Sequence, residues 1–565
     1  MGTGSLTTRR IGATKSRSGC NTCKIRRVKC GEEKPSCLRC STTGRRCEYN
    51  ISERSPPVTP PSAWSPSHAL SLSPNSGQRE RRAFEYYFQH AAKHLAAGLN
   101  VDFWTAVVPQ ICRSEPAVWD AMIAISAMFE CPDQCLDFNL LRNNYKQTHS
   151  LNKNQQEALT WYSRSMSSIH SQIERGTADP YISLISCILF ICVENIQGRV
   201  EDALQLYLQG VRLVLDLRAQ VSYGAVSATK AALLENTIIP LFLRLNTTSL
   251  TISTVQVTEI FGFASHDISE EFLTIDSARS AINVLAAEAQ LFERDATLHL
   301  REVGGDSSVS IEMLELKKNL QARLEIWHRA YTNLCHVILT KSAAPVNCEP
   351  VLLAYHAAVS IAVSGSLTHR ETVYDGNLAD FVTIVQQASI ILDTSTGPDG
   401  SQPPFSFEPG VGIPLFLTAM KCRDPGLRRR ALSLLRQAPP VQGFFKCTPV
   451  AILAEKHMEL EESYSVALSE AHGANVSGSV TDSAISIQSC QPDTAHAVHI
   501  PEEARISYYG VFRPAEWLPP GVRMEDISVF GRGPEQLFLE FARNYFDVAS
   551  ATWRPGASEC VPLGP

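Results

Sequence analysis

No stretch of this 565-residue chain is long and apolar enough to cross a bilayer. The longest apolar run, Leu184 to Val193 broken only by Ser186, is about half of the roughly twenty residues that a spanning helix needs. The first twenty residues also lack the apolar core of a secretory signal, so a reducing compartment is expected and no membrane contact. Seventeen cysteines, an odd number, fit free or metal-bound thiols better than a disulfide framework. Catalytic signatures are missing too. No phosphate-cradling glycine loop follows a strand-like segment, no Gly-x-Ser-x-Gly elbow appears, and Lys456-His457-Met458-Glu459-Leu460 is no zinc-protease motif. An enzyme is therefore not expected.

Charge is sparse at 19%, and the net value of −6 hides an asymmetry. Residues 1–50 carry twelve Lys and Arg against three Glu, a formal +9 that leaves −15 for the remainder. A short basic end on an acidic body points to a nucleic-acid-binding tip on a separate carrier. Composition divides the rest. Residues 1–18 read as a flexible basic arm, and 19–50 hold a dense cysteine array. Residues 51–80 are so rich in Ser and Pro that they read as an extended, disordered linker without a core.

From residue 81 to 470 apolar residues recur at helical spacing. Phe84, Tyr87, Phe88, Ala91 and Leu95 form one stripe, and Val118, Met122, Ile125 and Phe129 another, the latter after Ser114 as expected N-cap. Leu204 to Leu215 and Met313 to Leu334 give two more. Residues 471–500 are Ser- and Ala-rich and read as a disordered loop; 501–565 mix aromatics with Pro and Gly and are expected to pack on the body, without an assigned secondary structure. The fold class expected is mostly α: a small N-terminal two-zinc cluster and a large all-α body, joined by the Ser/Pro linker.

The array itself is a repeat. Cys20, Cys23 and Cys30 have the spacing C-x2-C-x6-C, and Cys37, Cys40 and Cys47 have it again. With cysteine at about 3% of residues, five further matches have chance odds on the order of 10⁻⁷ to 10⁻⁸ per start point. Structural zinc takes four thiolate or imidazole ligands. Two zincs need eight ligand slots, and with six sulfurs and no nearby His, two thiolates must bridge both metals. Ile25, Val28 and Leu38 are almost the only apolar residues in the segment, so metal ligation must supply its folding free energy. Two Zn²⁺ are expected as structural ions, since sulfur fills every slot and leaves none for a catalytic water.

Between Cys23 and Cys30 lie Lys24, Arg26, Arg27 and Lys29, four cations in six residues, read as a short helix pinned at both ends by ligands. Such a helix fits a major groove, where Arg donates two hydrogen bonds to guanine and Lys contacts phosphate. Arg39, Arg45 and Arg46 add phosphate partners from the second half. Double-stranded DNA is the expected ligand, bound with a strong salt dependence.

Residues 20 to 47 resemble the fungal Zn(2)-C6 binuclear cluster family of transcription factors: both half-repeats, the basic stretch Lys24 to Lys29, and Pro35 in the connecting loop match. The resemblance implies that Cys20 and Cys37 are the bridging ligands. It also implies that the residue four places after the second cysteine, here Arg27 where Lys is commoner, reads a CGG-like triplet. Gly31 stands where Asp is frequent. Residues 81–130, with Phe103-Trp104 and Ser114 to Val118, and 184–214 resemble the helical fungal regulatory domain that accompanies such clusters. The implied function is sequence-specific regulation of RNA polymerase II genes in a fungal nucleus, for a metabolic or biosynthetic gene set, in contact with the transcription machinery. The alternative is a chromatin-localised enzyme or scaffold that uses the cluster only for targeting. A triplet recurs about once in 64 positions, so a second copy or another DNA-bound regulator is expected as partner. Because Pro-rich residues 51–80 do not favour a coiled coil, such pairing would use the helical body.

Overall fold

The computed structural model describes residues 20–26, 28–34, 36–47, 77–96, 102–132, 152–249, 270–303, 309–341, 349–397, 400–476, 499–549 and 552–563. The arm 1–18, residues 51–76 of the Ser/Pro segment and residues 477–498 of the expected loop lie outside them. The chain divides into two units, Met1–Ser65 and Pro66–Pro565. The first contains two short helices, α1 (Asn21–Ile25) and α2 (Leu38–Ser41).

The second unit is dominated by helices whose local signals are readable. Helix Lys153–Glu174 opens on a reciprocal cap, with Asn152 Oδ1 accepting from the Gln155 N–H and the Gln155 side chain returning to the Asn152 N–H. Helix Pro180–Ile196 starts at a proline after Asp179, whose carboxylate accepts the Tyr181 N–H at 2.8 Å. Its continuous apolar run is explained by burial on nearly all sides: Leu184, Ile185, Ile188, Leu189, Ile191, Cys192 and Val193 sit in one core with Tyr87, Trp104, Met122, Tyr207 and Phe242. Among the described residues no helix is long and apolar enough to cross a membrane.

Ser114 is not the cap of the next helix back. That helix is Pro116–Glu130; Pro116 forces Glu115 into an extended conformation, and Ser114 Oγ instead donates to the Ile111 carbonyl at 3.2 Å. The stripe residues Val118, Met122, Ile125 and Phe129 are buried as their spacing requires. Met313 to Leu334 falls within helix Ile311–Lys341, where Leu320, Leu324, Trp327, Tyr331 and Leu334 form a core with helices Ile275–Val303 and Pro350–Gly365. Trp327, fully buried, donates its Nε1–H to the Ala278 carbonyl at 2.8 Å.

The remaining elements include two small sheets. Strands β1 (Phe405–Ser406), β2 (Val441–Gln442) and β3 (Phe445–Lys446) form one, tied to the helices through Gly443. Gly443 has φ +56° and approaches Thr248 so closely that an added Cβ would lie 2.6 Å from its Oγ1, so only glycine fits this turn. The C-terminal segment forms an antiparallel sheet of β4 (Ile506–Phe512), β5 (Phe538–Asp547), β6 (Thr552–Pro555) and β7 (Glu559–Pro562), with β5 paired to all three others. Seven consecutive β5 residues from Phe538 to Asn544 are buried, so no alternation exists to be read from sequence. Ile506, Leu539 and Phe541 pack against Leu453 of helix Cys447–Val476, which runs on past residue 470.

Under this sheet lies a buried ionic knot. Glu461 sits between Arg423, at 2.5 Å, and Arg428, at 2.8 Å, the latter close enough for an ion pair but poorly aligned for a hydrogen bond. Glu461 also accepts the Ile506 N–H at 2.9 Å, joining helix to strand, and Arg428 donates to His457 Nδ1. Burial opposes the Glu461 charge, yet Arg423 and Arg428 hold its carboxyl well below the usual range.

Candidate metal centre and nucleic-acid interface

Each half-repeat of the N-terminal unit starts the same way. Cys20 precedes α1 and Cys37 precedes α2, both in extended conformation at the N-cap position (φ −62°, ψ 153° and φ −71°, ψ 147°). After each helix the chain turns back through a matching bond: the Val28 N–H donates to the Cys23 carbonyl at 3.2 Å, and the Arg45 N–H to the Cys40 carbonyl at 2.9 Å. In the second half the turn runs through Gly44 at φ +59°. The internal repeat is thus a repeat of backbone geometry.

These turns bring the six sulfurs together. Cys20, Cys23, Cys37 and Cys40 are fully buried, Cys30 nearly so and Cys47 partly. Two quartets have all their sulfurs within 4.8 Å of one another: Cys20, Cys23, Cys30 and Cys37, and Cys20, Cys37, Cys40 and Cys47. They share Cys20 and Cys37. Within the quartets, Cys20 and Cys37, Cys20 and Cys40, and Cys23 and Cys37 have sulfurs 3.7 Å apart. A tetrahedral zinc with Zn–S bonds of about 2.3 Å places its ligand sulfurs roughly 3.8 Å apart, so the donor set and its spacing both fit two zincs. The Cys23 and Cys40 sulfurs approach to 3.8 Å across the two quartets.

Crowded thiols resist losing their protons together. Burial pushes the Cys20 thiol far up and the Cys40 thiol up to about 12. Cys37 is also raised by burial, but the Cys40 N–H and neighbouring sulfurs bring it below its usual value. For Cys47 the leading cause is the Cys37 N–H, which donates to its sulfur at 3.2 Å and lowers it. Two divalent cations supply the positive charge that such a set needs to ionise. Two structural zincs are the cofactors of this domain.

The apolar contribution is even smaller than composition implies. Of the three apolar residues that the segment offers, Ile25 and Leu38 are 83% and 64% exposed, and Val28 alone packs against the cysteines. What supports the cluster beyond sulfur is polar. Glu33 accepts the Leu38 N–H at 3.0 Å, which lowers its own pKa and ties the connecting loop to α2. Thr22 Oγ1 donates to the Arg46 carbonyl at 2.8 Å, joining the two halves. Neither residue belongs to a motif, and only the folded loop identifies them.

The basic stretch is only partly helical. Lys24 lies on α1, Arg26 caps its C-terminus with Nη1 3.4 Å from Thr43 Oγ1, and Lys29 follows outside any helix just before Cys30. The helix ends early because the chain must swing Cys30 back to the sulfur cluster. Arg27 and Pro35 lie outside the described residues. Lys24, Arg26, Lys29, Arg39, Arg45 and Arg46 are all exposed, and no acidic side chain stands between Cys20 and Gly31. The unit therefore carries a cationic surface fixed to a metal-sulfur core.

Comparison with known proteins agrees with this geometry. Residues 18–56 match the family described as the fungal Zn(2)-Cys(6) binuclear cluster domain. The chain is 23% identical to the aspercryptin biosynthesis cluster-specific transcription regulator of Emericella nidulans, over 70% of this chain and 66% of that protein. It is 32% identical to a Zn(2)-C6 fungal-type transcription factor of Aspergillus fumigatus over 21% of this chain and 34% of the relative. It is 48% identical to the geodin cluster transcription factor of Aspergillus terreus over 7% and 18%. The chain thus spans just under two thirds of the first relative and about a third of the second. No solved structure matches significantly.

Proposed function

We propose, from the premise that residues 18–56 are a fungal Zn(2)-Cys(6) binuclear cluster domain, that the chain is a nuclear regulator of RNA polymerase II transcription. It binds double-stranded DNA through the zinc-folded basic segment, with Cys20 and Cys37 bridging the metals and the other four cysteines as terminal ligands. The observation that carries this reading is the pair of sulfur quartets sharing Cys20 and Cys37, flanked by exposed Lys24, Arg26 and Lys29. Arg27 reads the guanines of a CGG-like triplet by bidentate bonding to O6 and N7, while Lys24, Arg26, Lys29, Arg39, Arg45 and Arg46 hold phosphates. Two zincs held by these quartets would have sulfur at every coordination position, which would leave no site for water and make the domain a reader.

The relatives named for the aspercryptin and geodin clusters support a biosynthetic gene set as the target. The body from residue 81 to 470 is the regulatory domain that governs output, with 501–565 as its C-terminal part. A second copy or another DNA-bound regulator supplies the specificity that one triplet lacks. The test is binding of the zinc-loaded chain to duplexes with and without CGG at several salt concentrations. Arg27→Ala should lose about 1–3 kcal/mol of discrimination between the duplexes, whereas Lys24→Ala should weaken both alike and reduce the salt slope by roughly one. Equal binding to both duplexes by the unmodified chain, with no motif recovered from its chromatin sites, refutes the reading. Cys30→Ala must also change transcript levels near bound sites; unchanged transcripts would favour an enzyme or scaffold merely localised by the cluster.

A further inference from the structure

Helix Ile275–Val303 packs against helix Pro350–Gly365, and where both meet helix Gly412–Lys421 and strand β4 a cleft of about 730 Å³ remains open. The reason is legible in residue size. The first helix lines the cleft with Ala286, Ala289, Gln290 and Glu293, and the second with Tyr355, Ala358, Val359 and Ala362. Both sets follow the i, i+3, i+4, i+7 spacing of one helix face, and alanine at four of the eight positions leaves space that larger side chains would fill.

The cleft is not merely unfilled core. Its remaining wall is apolar, with Phe416, Met420 and Leu453 among its residues, yet a few polar groups are set into it. Glu293 keeps much of its surface accessible although protein surrounds it, and burial raises its carboxyl pKa against the opposing charge of Lys421. Tyr355 is 7% exposed and its hydroxyl makes no hydrogen bond among the described residues. Lys446, also 7% exposed, supplies a cation on the same lining. The Tyr355 hydroxyl is closed off from the open space, so Glu293, which keeps accessible surface on the lining, is the polar group that a ligand oxygen or nitrogen can reach. Three acidic lining residues, Glu201, Glu293 and Glu516, balance Lys421, Lys446 and Arg513, so the lining as a whole favours no net ligand charge. The volume lies within the range of sites for drug-sized molecules, which are mainly apolar with a few convergent polar groups.

We propose that this cleft is a binding site for an uncharged, largely apolar small molecule carrying a hydrogen-bonding oxygen or nitrogen, received between the two alanine-bearing helix faces. The site belongs wholly to the large unit, and its test does not depend on DNA binding.

The full-length zinc-loaded chain is titrated with the neutral dye Nile red, and hydrogen exchange is compared with and without it. Saturable binding of one dye per chain is expected, with slowed exchange concentrated in segments 286–293 and 355–362. Ala362→Trp and Leu417→Trp, at half-buried lining positions on two different helices, should each raise the dye Kd at least tenfold while zinc content and far-ultraviolet circular dichroism stay unchanged. Non-saturable binding, slowed exchange elsewhere in the chain, or unaltered affinity in a folded variant overturns the proposal. Should a tryptophan variant fail to fold, the exchange map of the unmodified chain decides.

Discussion

Cys20 belongs to both sulfur quartets, whereas Cys30 belongs to one, and this difference makes two otherwise similar substitutions unequal. Folding-coupled zinc binding in small modules is worth about 10–16 kcal/mol per site, or roughly 2.5–4 kcal/mol for each of four thiolates. Cys30→Ala removes one such share from one site, weakening it by about two to three powers of ten and leaving the other quartet complete. Cys20→Ala removes a share from each site, on the order of 5–8 kcal/mol in all. Almost nothing apolar offsets that loss, since Ile25 and Leu38 are exposed. Equilibration against a graded zinc chelator, followed by elemental analysis of metal per chain, reads the effect directly. The unmodified chain should hold two zincs, Cys30→Ala should settle near one over a broad chelator range, and Cys20→Ala should lose both together. Equal metal retention by the two variants would refute the sharing of Cys20, and a chain that holds no zinc would refute the metal centre.

Three further outcomes follow from the large unit. Glu461→Gln keeps the side-chain shape but leaves buried Arg428 without its counter-charge and Arg423 with Glu371 alone, so chemical denaturation should show a loss of about 3–5 kcal/mol; a loss under 1 kcal/mol would mean that the knot is solvated. His356 donates its Nε2–H to the Leu324 carbonyl at 3.1 Å, and burial, with His328 beside it, lowers its pKa from 6.5 to about 4. The unfolded chain therefore binds more protons between these values, and stability should fall as pH drops from about 6.5 to about 4 and level off below; His356→Gln should flatten that slope, and an unchanged slope excludes the assignment. Tyr355→Phe removes a buried hydroxyl that has no partner among the described residues, so the ligand-free chain should gain roughly 1 kcal/mol in stability; a loss of that size would show a hydrogen bond that the hydroxyl does make.

Cysteine spacing was the most legible feature because ligand geometry is local: six sulfurs at repeated offsets define a metal site almost independently of the rest of the chain. The helical stripes were legible for a related reason, since Val118, Met122, Ile125 and Phe129 must share one face whatever they pack against. Other readings failed where a neighbour overrode local preference. Ser114 lost the cap to Glu115 because Pro116 constrains the residue before it. The basic stretch leaves α1 after Ile25 because Cys30 must return to the sulfur cluster.

The chemistry of the N-terminal unit, the expected cofactor and the helical character of the body could all be read along the chain, because they rest on offsets of a few residues. The C-terminal sheet, the ionic knot around Glu461 and the cleft beside Tyr355 came from packing between distant segments. Strand β5 is buried along seven residues and so carries no two-residue alternation, Glu461 meets Arg423 across 38 positions, and Glu293 and Tyr355 line one cleft across a still longer gap. Contacts over such separations depend on how whole helices are placed against one another, and a window of sequence holds no record of that placement.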